Sequence, residues 1–278
     1  MASNYSTIKI EKDNGVTWLI MNRPEKRNAM NPTMHYEMDA ALPELESDPE
    51  TKVVILTGAG DAFCAGQDLR EYFRGLDNNP AERRKAGEAS ERWRNRRLQS
   101  YNKPTIAMVN GYCVGGGFTQ VLTCDFAVAA EDATFCLSEV NWGILPGGLV
   151  SKKLTDTLML RHAMFYACTG RTFDGRRAAE IGMINMAVPK AKLRDETLSL
   201  ARELMDKNPE VLRATKQAIR AVRTMNDDQA FDYLAAKASE IKQRDKENAY
   251  HHGIKQFLDD KSYKPTFGAY DRSKAAGR

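Results

Sequence analysis

The chain has 278 residues, of which 42% are hydrophobic and 28% are charged, with a formal net charge of +4 at pH 7. This composition is that of a folded globular protein with one large domain or two modest ones, and it excludes disordered and fibrous classes. The small positive charge does not by itself indicate nucleic acid, which requires dense basic patches, and it favours an anionic small ligand.

The cysteine content and the N-terminal residues bear on whether the protein is disulfide-bonded, metal-binding, secreted or membrane-bound. Five cysteines, without a Cys-x-x-Cys pair, predict neither a disulfide framework nor a zinc site, and we expect no metal. Residues 1–13 contain no long apolar run, so no signal peptide or membrane span is expected. A reducing, cytoplasmic location is the resulting expectation.

The N-terminal segment predicts a hairpin followed by a helix. Residues 7–22 alternate as two short strands around Asp13-Asn14-Gly15, which supplies hairpin turn chemistry. Asn31 and Pro32 then provide a helix cap and a first-turn proline, and the apolar spacing predicts an amphipathic helix to about residue 47 that packs on a sheet.

Later segments alternate strands with helices. Residues 53–57, 104–109 and 126–129 are continuous apolar runs, as in strands buried on both faces, and an apolar helix is predicted over 118–124. This alternation predicts an α/β fold with crossover connections. Most of the remainder reads as helix, over 150–160, 178–182, 192–206, 209–225 and 227–248. We therefore expect a core over residues 1–190 and a helical region over 191–278.

Two glycine-containing loops are candidates for substrate binding. The loop Ala65-Gly66-Gln67-Asp68-Leu69 follows a buried strand, and the run Gly115-Gly116-Gly117 opens a helix. The start of a helix leaves backbone N–H groups unpaired, and glycine lets a ligand approach them. Two such donors on one carbonyl oxygen would form an oxyanion hole. Close packing of helix on strand is the alternative explanation of these glycines.

Glu139 and a cationic turn are further candidates. Glu139 is flanked in the sequence by apolar residues and is followed by the turn residues Pro146-Gly147-Gly148. Desolvation there would raise its pKa and allow proton exchange near neutrality. A capping or salt-bridged structural glutamate is the alternative. The turn NRPEKRNAM over residues 22–30 suits phosphate groups, or is a solvated loop.

Other notable residues have simpler interpretations. The histidines at 35, 162, 251 and 252 lack ligand spacing and are predicted to be structural or on the surface. Cys64 has no histidine motif beside it, which favours a small buried thiol over a nucleophile. The basic residues between 83 and 97 alternate with glutamates at helical spacing, which predicts a solvated helix face.

Together the segments NRPEKRNAM, AFCAGQDL, residues 109–125 and SEVNWGILPGG closely resemble the crotonase (enoyl-CoA hydratase/isomerase) superfamily, over about residues 8–258. The resemblance implies a spiral of ββα repeats, with C-terminal helices that pack on a neighbouring subunit in a trimer or a dimer of trimers. It implies an acyl-CoA substrate, with coenzyme A as part of the thioester and no tightly bound cofactor.

The resemblance also assigns roles to residues. The N–H groups of Gln67 and Gly116 would form the oxyanion hole, and Glu139 would be the acid/base. Asp68 is expected to act mostly through its backbone. The residues expected to bind the coenzyme A moiety are Lys26, Ala65, Asp68, Leu69, Gly115, Gly117, Phe257 and Lys261.

One departure from ordinary enoyl-CoA hydratases is informative. Those enzymes carry two catalytic glutamates, and Thr119 occupies the first position here. A single carboxylate with a hydroxyl residue resembles the hydroxycinnamoyl-CoA (feruloyl-CoA) hydratase-lyase branch, as do GQDLREYF, SEVNWGI and IKQFLDDKS. That branch hydrates feruloyl- or coumaroyl-CoA and cleaves the product to a vanillin-type aldehyde and acetyl-CoA. Tyr72, Trp142 and Gly147 would contact the acyl group, although Trp142 fits a core position equally well.

Two differences from the branch leave alternatives open. Thr119 replaces the usual serine, and Ala235 stands where the branch has a tyrosine that binds the phenol oxygen. Tyr233 lies nearly on the opposite side of a helix, which leaves Tyr72 as a phenol partner. The first alternative is an enoyl-CoA hydratase that stops at the 3-hydroxyacyl-CoA. The second is a crotonase-like RNA-binding protein that uses the basic stretch 83–97, although we do not expect nucleic acid as a partner.

Overall fold

The computed structural model describes residues 5–274. The chain divides into two compact units, Met1–Ser199 and Leu200–Arg278. The functional division expected from the sequence, an acyl-CoA site before residue 190 and subunit packing after it, stays a prediction.

Two sheets form the centre of the first unit. Its strands are β1 Ile8–Asp13, β2 Val16–Met21, β3 Val53–Gly58, β4 Ala62–Cys64, β5 Thr105–Val109, β6 Tyr112–Val114, β7 Phe126–Ala130, β8 Thr134–Cys136, β9 Phe173–Asp174 and β10 Met186–Val188. One sheet has the order β1-β2-β3-β5-β7-β10, and the other has the order β4-β6-β8-β9.

The chain visits the two sheets in turn. β3, β5 and β7 are parallel neighbours in the first sheet. The strand that follows each of them, β4, β6 or β8, joins the second sheet, where these three are also parallel neighbours. Each turn of the chain therefore adds one strand to each sheet, which is the spiral arrangement that the family resemblance implies.

Several local predictions are confirmed by the N-terminal elements. β1 and β2 pair antiparallel, and Asn14 and Gly15 at the turn have φ values of 48° and 89°. Positive φ at both central residues is the hairpin geometry that Asn-Gly favours. The Asn31 side chain accepts a hydrogen bond from Met34 N at 2.9 Å and caps the next helix, with Pro32 in its first turn.

Helices follow or precede the strands of the first unit. They are α1 Pro32–Ser47, α2 Pro80–Ser90, α3 Leu98–Ser100, α4 Phe118–Thr123, α5 Val150–Thr157, α6 Leu160–Thr169 and α7 Gly175–Glu180, and α8 Leu193–Met205 runs across the boundary at Ser199. Of these, α1, α4 and α7 contact strands of the sheets. Two segments, Leu69–Phe73 and Glu91–Arg97, are π-helical. The buried stripe of α1 contacts β1, as expected, and also α2 and the segment Glu91–Arg97.

The second unit contains the helices α9 Pro209–Val222, α10 Asp227–Arg244 and α11 Ala249–Leu258. α9 and α10 contact each other, and Arg213 of α9 joins them through an ion pair to Glu240 of α10. Among residues 5–274, no helix is long and apolar enough to cross a membrane.

The spiral brings backbones of successive turns into direct contact at glycines. A Cβ atom at Gly111, between β5 and β6, would lie 2.0 Å from Asp61 O. The corresponding Cβ at Gly175 would lie 2.0 Å from Ala130 O. Since both obstacles are main-chain atoms, neither can move without displacing a whole turn of the spiral.

We predict that Gly111→Ala destabilises the protein by about 1–3 kcal/mol or more, because the methyl group overlaps the Asp61 carbonyl. Gly87→Ala is the matched control, since Gly87 lies in α2 and its Cβ would meet only Tyr72 Oη at 3.7 Å. Alanine there should be neutral or stabilising by up to about 1 kcal/mol. Urea unfolding compares the two, and equal stabilities would show that the crossing tolerates a side chain.

Candidate active site

Three candidate segments meet at one edge of the second sheet. The loop at Gly66 and Gln67 follows β4, the turn at Gly115 and Gly116 follows β6, and Glu139 comes shortly after β8. β4, β6 and β8 are adjacent parallel strands. The carboxyl ends of parallel strands lie at the same edge of a sheet, which is where α/β proteins bind ligands. Segments far apart in sequence are thus placed side by side.

A cleft of about 950 Å³ opens at this edge. Apolar side chains, among them Phe73, Val114, Ile144 and Leu149, form much of its wall. The volume and apolar lining are those of a pocket for a small-molecule ligand. The predicted site residues that line it are Ala65, Gln67, Leu69, Tyr72, Gly115, Gly116, Glu139, Trp142 and Gly147.

The two glycine loops touch each other through their backbones. Gly66 has φ +86°, and a Cβ atom there would lie 2.9 Å from Val114 O and 3.2 Å from Gly116 N. Only glycine combines this conformation with such a close approach. The peptide that leads into Gln67 therefore lies directly beside the Gly116 amide.

Met30 fixes the direction of the Gln67 amide. Met30 N donates to Gly66 O at 2.8 Å, and Asp68 N donates to Met30 O at 2.8 Å. Met30 and Gln67 form a parallel bridge. Backbone groups of successive residues in an extended chain point to opposite sides, so the Gln67 N–H points away from Met30.

The Gly116 amide is also available by position. Gly116 is the second residue of the 3₁₀ turn Gly115–Gly117, which leads directly into α4. The first N–H groups of a helical segment have no acceptor within it. Gln67 and Gly116 thus meet the geometric requirement for a pair of oxyanion-hole donors, because each N–H is free of the hydrogen bonds that hold its own loop.

Glu139 lies against the same glycine turn. A Cβ atom at Gly115, which has φ +53°, would lie 3.2 Å from Glu139 Oε1. Glu139 Oε2 is buried and has no hydrogen-bond partner in the described part of the chain. Burial raises the pKa of this carboxyl group above its ordinary value, because the charged form is poorly solvated. A carboxyl group in this state can exchange protons with a substrate in the cleft.

A hydrogen-bond chain that the sequence did not reveal supports Gln67. Trp93 Nε1 donates to His35 Nδ1 at 3.0 Å, and His35 Nε2 lies 2.8 Å from Gln67 Oε1. An indole N–H is only a donor, so His35 carries its proton on Nε2 and donates it to Gln67. Burial, reinforced by the Arg94 cation, lowers the pKa of His35 to about 3. His35 is structural, as predicted, but no periodicity signalled its contact with Gln67.

Arg94 corrects the prediction for the basic stretch. Helical spacing predicted a solvated face over residues 83–97, but Trp93, Arg94 and Asn95 are buried in succession. Arg94 is 5% exposed and lines the cleft. A π-helical segment carries these residues, and its spacing differs from the α-helical spacing on which the prediction rested.

Four predicted site residues of the first unit do not line the cleft. Thr119 on α4 is fully buried, and its Oγ1 has no partner among residues 5–274. Gly117 packs against Cys64, where a Cβ would lie 2.7 Å from Cys64 O. The Asp68 side chain caps the turn at Arg70 and Glu71 and pairs with Arg23 at 2.9 Å. Lys26 is exposed on the turn Pro24–Lys26.

The remaining predictions have mixed outcomes. Trp142 is 63% exposed, so the core alternative is wrong for it. Cys64 is buried, and burial raises the pKa of its thiol to about 11, in agreement with an inert thiol. Over residues 5–274, no cluster of histidine, cysteine and acidic side chains could hold a metal ion. Phe257 on α11 and Lys261 after it belong to the second unit, and their role stays a prediction.

Comparisons with known sequences identify the family of the chain. The family model for enoyl-CoA hydratase/isomerase matches residues 11–268. A hydroxycinnamoyl-CoA hydratase-lyase of Pseudomonas fluorescens is 50% identical over 270 residues, covering 96% of this chain and 98% of that protein. A short-chain-enoyl-CoA hydratase of Clostridium acetobutylicum is 34% identical over 215 residues, covering 77% of this chain and 81% of that protein.

Solved structures share the fold. An enoyl-CoA hydratase from Polaromonas sp. JS666 superposes with a TM-score of 0.84 at 27% identity, over 92% of this chain and 98% of that one. One from Bacillus anthracis gives 0.83 at 26% identity, over 92% and 97%. The α/β fold predicted from the sequence, a crotonase-like spiral with C-terminal helices, is confirmed.

We predict that the His35 ring stays neutral and protonated on Nε2 from pH 5 to pH 8, because its pKa is lowered to about 3. An unfolded chain binds a proton below the ordinary pKa of 6.5, so this group favours folding above that pH and progressively opposes it as the pH falls toward 3. Nitrogen-15 NMR of the histidine ring is the measurement. A His35 signal that titrates near pH 6.5 would contradict the hydrogen-bond chain to Gln67.

Proposed function

Because the chain belongs to the enoyl-CoA hydratase/isomerase family, we propose that it hydrates a 4-hydroxycinnamoyl-CoA, such as feruloyl- or coumaroyl-CoA, and cleaves the product to an aromatic aldehyde and acetyl-CoA. The observation that carries this proposal is a single unpaired carboxylate, Glu139, beside the glycine turn, with Thr119 where two-glutamate hydratases have a second one. The 50% identical relative, a hydroxycinnamoyl-CoA hydratase-lyase, supports the same assignment.

The first half-reaction is hydration. The thioester oxygen accepts hydrogen bonds from the N–H groups of Gln67 and Gly116, which stabilise negative charge as it develops. Glu139 takes a proton from water while the water oxygen bonds to the β-carbon and the double-bond electrons move into the thioester enolate. Glu139 then returns the proton to the α-carbon, which completes the 3-hydroxyacyl-CoA.

The second half-reaction reverses an aldol addition. Glu139 removes the proton of the β-hydroxyl group, the bond between the α- and β-carbons breaks, and the aldehyde C=O forms. The electrons of the broken bond enter the enolate of acetyl-CoA, which the same two N–H groups stabilise. Glu139 then protonates that enolate. One donor pair and one carboxyl group thus serve both steps, and atoms and charges balance without a cofactor.

Residues around this centre have supporting roles in the proposal. Lys26, Ala65, Leu69 and Gly115 bind the coenzyme A moiety, and Phe257 and Lys261 bind its adenine or phosphate end across a subunit boundary. Asp68 holds its loop through the caps and ion pair described above, in agreement with a role that does not use its side chain on the ligand. Tyr72, Trp142 and Gly147 contact the acyl group. Assembly as a trimer or dimer of trimers and a cytoplasmic location are part of the proposal.

A second candidate is a hydratase that stops at the 3-hydroxyacyl-CoA, which Ala235 favours because the branch has a tyrosine at that position. The RNA-binding alternative has weaker support, because exposed cations of the basic stretch are paired with carboxylates. Arg92 pairs with Asp39, Arg96 with Glu91, and Arg97 with Glu46. Paired cations offer few free contacts to phosphates.

Product analysis tests the proposal. The protein is incubated with feruloyl-CoA, and aldehyde, acetyl-CoA and 3-hydroxyacyl-CoA are quantified by liquid chromatography. The proposal requires equal amounts of aldehyde and acetyl-CoA. Accumulation of the 3-hydroxyacyl-CoA alone selects the hydratase candidate, and absence of all three products removes both.

We predict that Glu139→Gln lowers kcat by at least about 10²-fold, because the amide cannot exchange the proton, and leaves CoA-thioester binding intact. The unfolding free energy at pH 7 should not fall, because burial raises the pKa of Glu139 and the charged form is therefore the costly one to bury. Kinetics, calorimetric binding and thermal unfolding measure these effects. Retention of more than a few per cent of activity would contradict the role of Glu139.

Thr119→Ala is the comparison, with Thr119→Ser as its hydroxyl-retaining control. We expect a smaller loss than at Glu139, because Thr119 does not line the cleft. A loss as large as that at Glu139, rescued by serine, would give the hydroxyl group a direct part in the chemistry.

A further inference from the structure

Arg94 is a buried cation without a counter-charge. Its side chain contacts Gly116 O at 3.3 Å and Met30 Sδ at 3.8 Å through Nη1. Its Nε is buried and has no hydrogen-bond partner within residues 5–274, where no carboxylate lies within ion-pair distance of it either. An unpaired buried guanidinium group is costly. We therefore expect the ligand to supply a hydrogen-bond acceptor for this guanidinium group.

The guanidinium group reaches two walls of the cleft. A Cβ atom at Gly116 would lie 3.2 Å from Arg94 Nη1, and one at Gly148 would lie 3.3 Å from Nη2. Gly148 is in the loop that follows Glu139, and Arg94 and Gly148 both line the cleft. Any side chain larger than hydrogen at either glycine would crowd the guanidinium group.

Two π-helical segments contribute residues to the wall of this cleft. Glu91–Arg97 carries Arg94, and Leu69–Phe73 carries Tyr72. Tyr72 lines the cleft and is close enough to Arg94 to interact with its charge. π-Helical turns in proteins are frequent at functional sites. Tyr72 and Arg94 therefore bring a phenol group and a cation toward one region of the cleft.

The guanidinium group of Arg94 and the carboxyl group of Glu139 contact different glycines of the cleft. Glu139 lies against Gly115, whereas Arg94 lies against Gly116 and Gly148. The carboxyl group and the guanidinium group thus meet a bound substrate from different parts of the cleft wall. In the proposed substrate, the acceptor farthest from the reacting carbons is the oxygen at the far end of the acyl group.

We propose that Arg94, together with Tyr72, binds the ring 4-oxygen of the hydroxycinnamoyl group and selects for substrates that carry it. This inference rests on the proposed function and names a specificity-determining residue for it. The oxygen accepts a hydrogen bond from the guanidinium group, and a phenolate binds more strongly because charge-assisted bonds are stronger. A ring without the oxygen leaves the cation buried and unpaired, which penalises its binding.

The test compares 4-coumaroyl-CoA with cinnamoyl-CoA, which lacks the 4-oxygen. In a Glu139→Gln background, which prevents turnover, dissociation constants for both esters are measured with Arg94 present and after Arg94→Met. We expect Arg94→Met to weaken binding of the coumaroyl ester by about 10- to 100-fold and to leave the cinnamoyl ester within about threefold. Arg92→Met is the control, since Arg92 is exposed and paired with Asp39, and it should change neither constant.

A spectroscopic readout separates recognition from packing. The phenolate of the bound coumaroyl ester absorbs at longer wavelength than the phenol, so a pH titration reports its ionisation on the protein. With Arg94 present the bound phenol should ionise at lower pH than the free ester, and Arg94→Met should abolish that difference. Arg94→Lys, which retains the charge and loses the planar donor set, should keep part of it.

The outcomes distinguish this inference from the proposed function. If the protein cleaves coumaroyl-CoA but Arg94→Met weakens both esters equally, Arg94 is a packing residue and the inference is wrong. If the protein cleaves no hydroxycinnamoyl ester, the proposed function fails first. Misfolding of the methionine variant is not expected, because an unpaired charge is costly to bury and methionine removes that cost. The lysine variant provides an independent comparison.

Discussion

The site depends on the direct contact between the backbone of Gly66 and that of Gly115 and Gly116. Adjacent parallel strands β4 and β6 end at these loops, and only glycine fits where they meet. The contact places two amides side by side and leaves room for the Glu139 carboxylate against the same turn. A side chain at Gly66 would press on the backbone that carries the Gly116 amide, and one at Gly115 would press on the Glu139 carboxylate. The packing of the sheet edge therefore sets the positions of the groups that do the chemistry.

Around this contact, buried polar groups hydrogen-bond to the loops and hold them in place. They leave the Gln67 N–H group and the Glu139 carboxyl group free for the substrate. Met30 bonds both sides of Gln67, and the chain from Trp93 through His35 holds the Gln67 side chain. Glu139, by contrast, has an unpartnered oxygen and sits where burial disfavours its charge. The groups that hold Gln67 therefore have hydrogen-bond partners, whereas Glu139 keeps a desolvated oxygen for the reaction.

Local signals predicted much of this molecule. The Asn14-Gly15 turn, the Asn31 cap and the long apolar strands are each determined by a short stretch of neighbouring residues, so the sequence alone predicts them. Strands β4, β6 and β8 were not predicted, because three residues are too few for a periodic pattern, yet they bring the candidate residues together. Arg94 was misread because the prediction assumed α-helical spacing. The burial of Thr119 and the partners of His35 depend on tertiary packing that one sequence does not encode locally.

The most direct test of the central contact is carbon-13 NMR of a cinnamoyl-CoA labelled at the thioester carbonyl and bound to the Glu139→Gln protein. Two backbone N–H donors at Gln67 and Gly116 should polarise the C=O bond and move its resonance downfield of the free ester. A bound carbonyl with the chemical shift of the free ester would mean that these amides do not hold the oxygen, and the account of both half-reactions would be wrong.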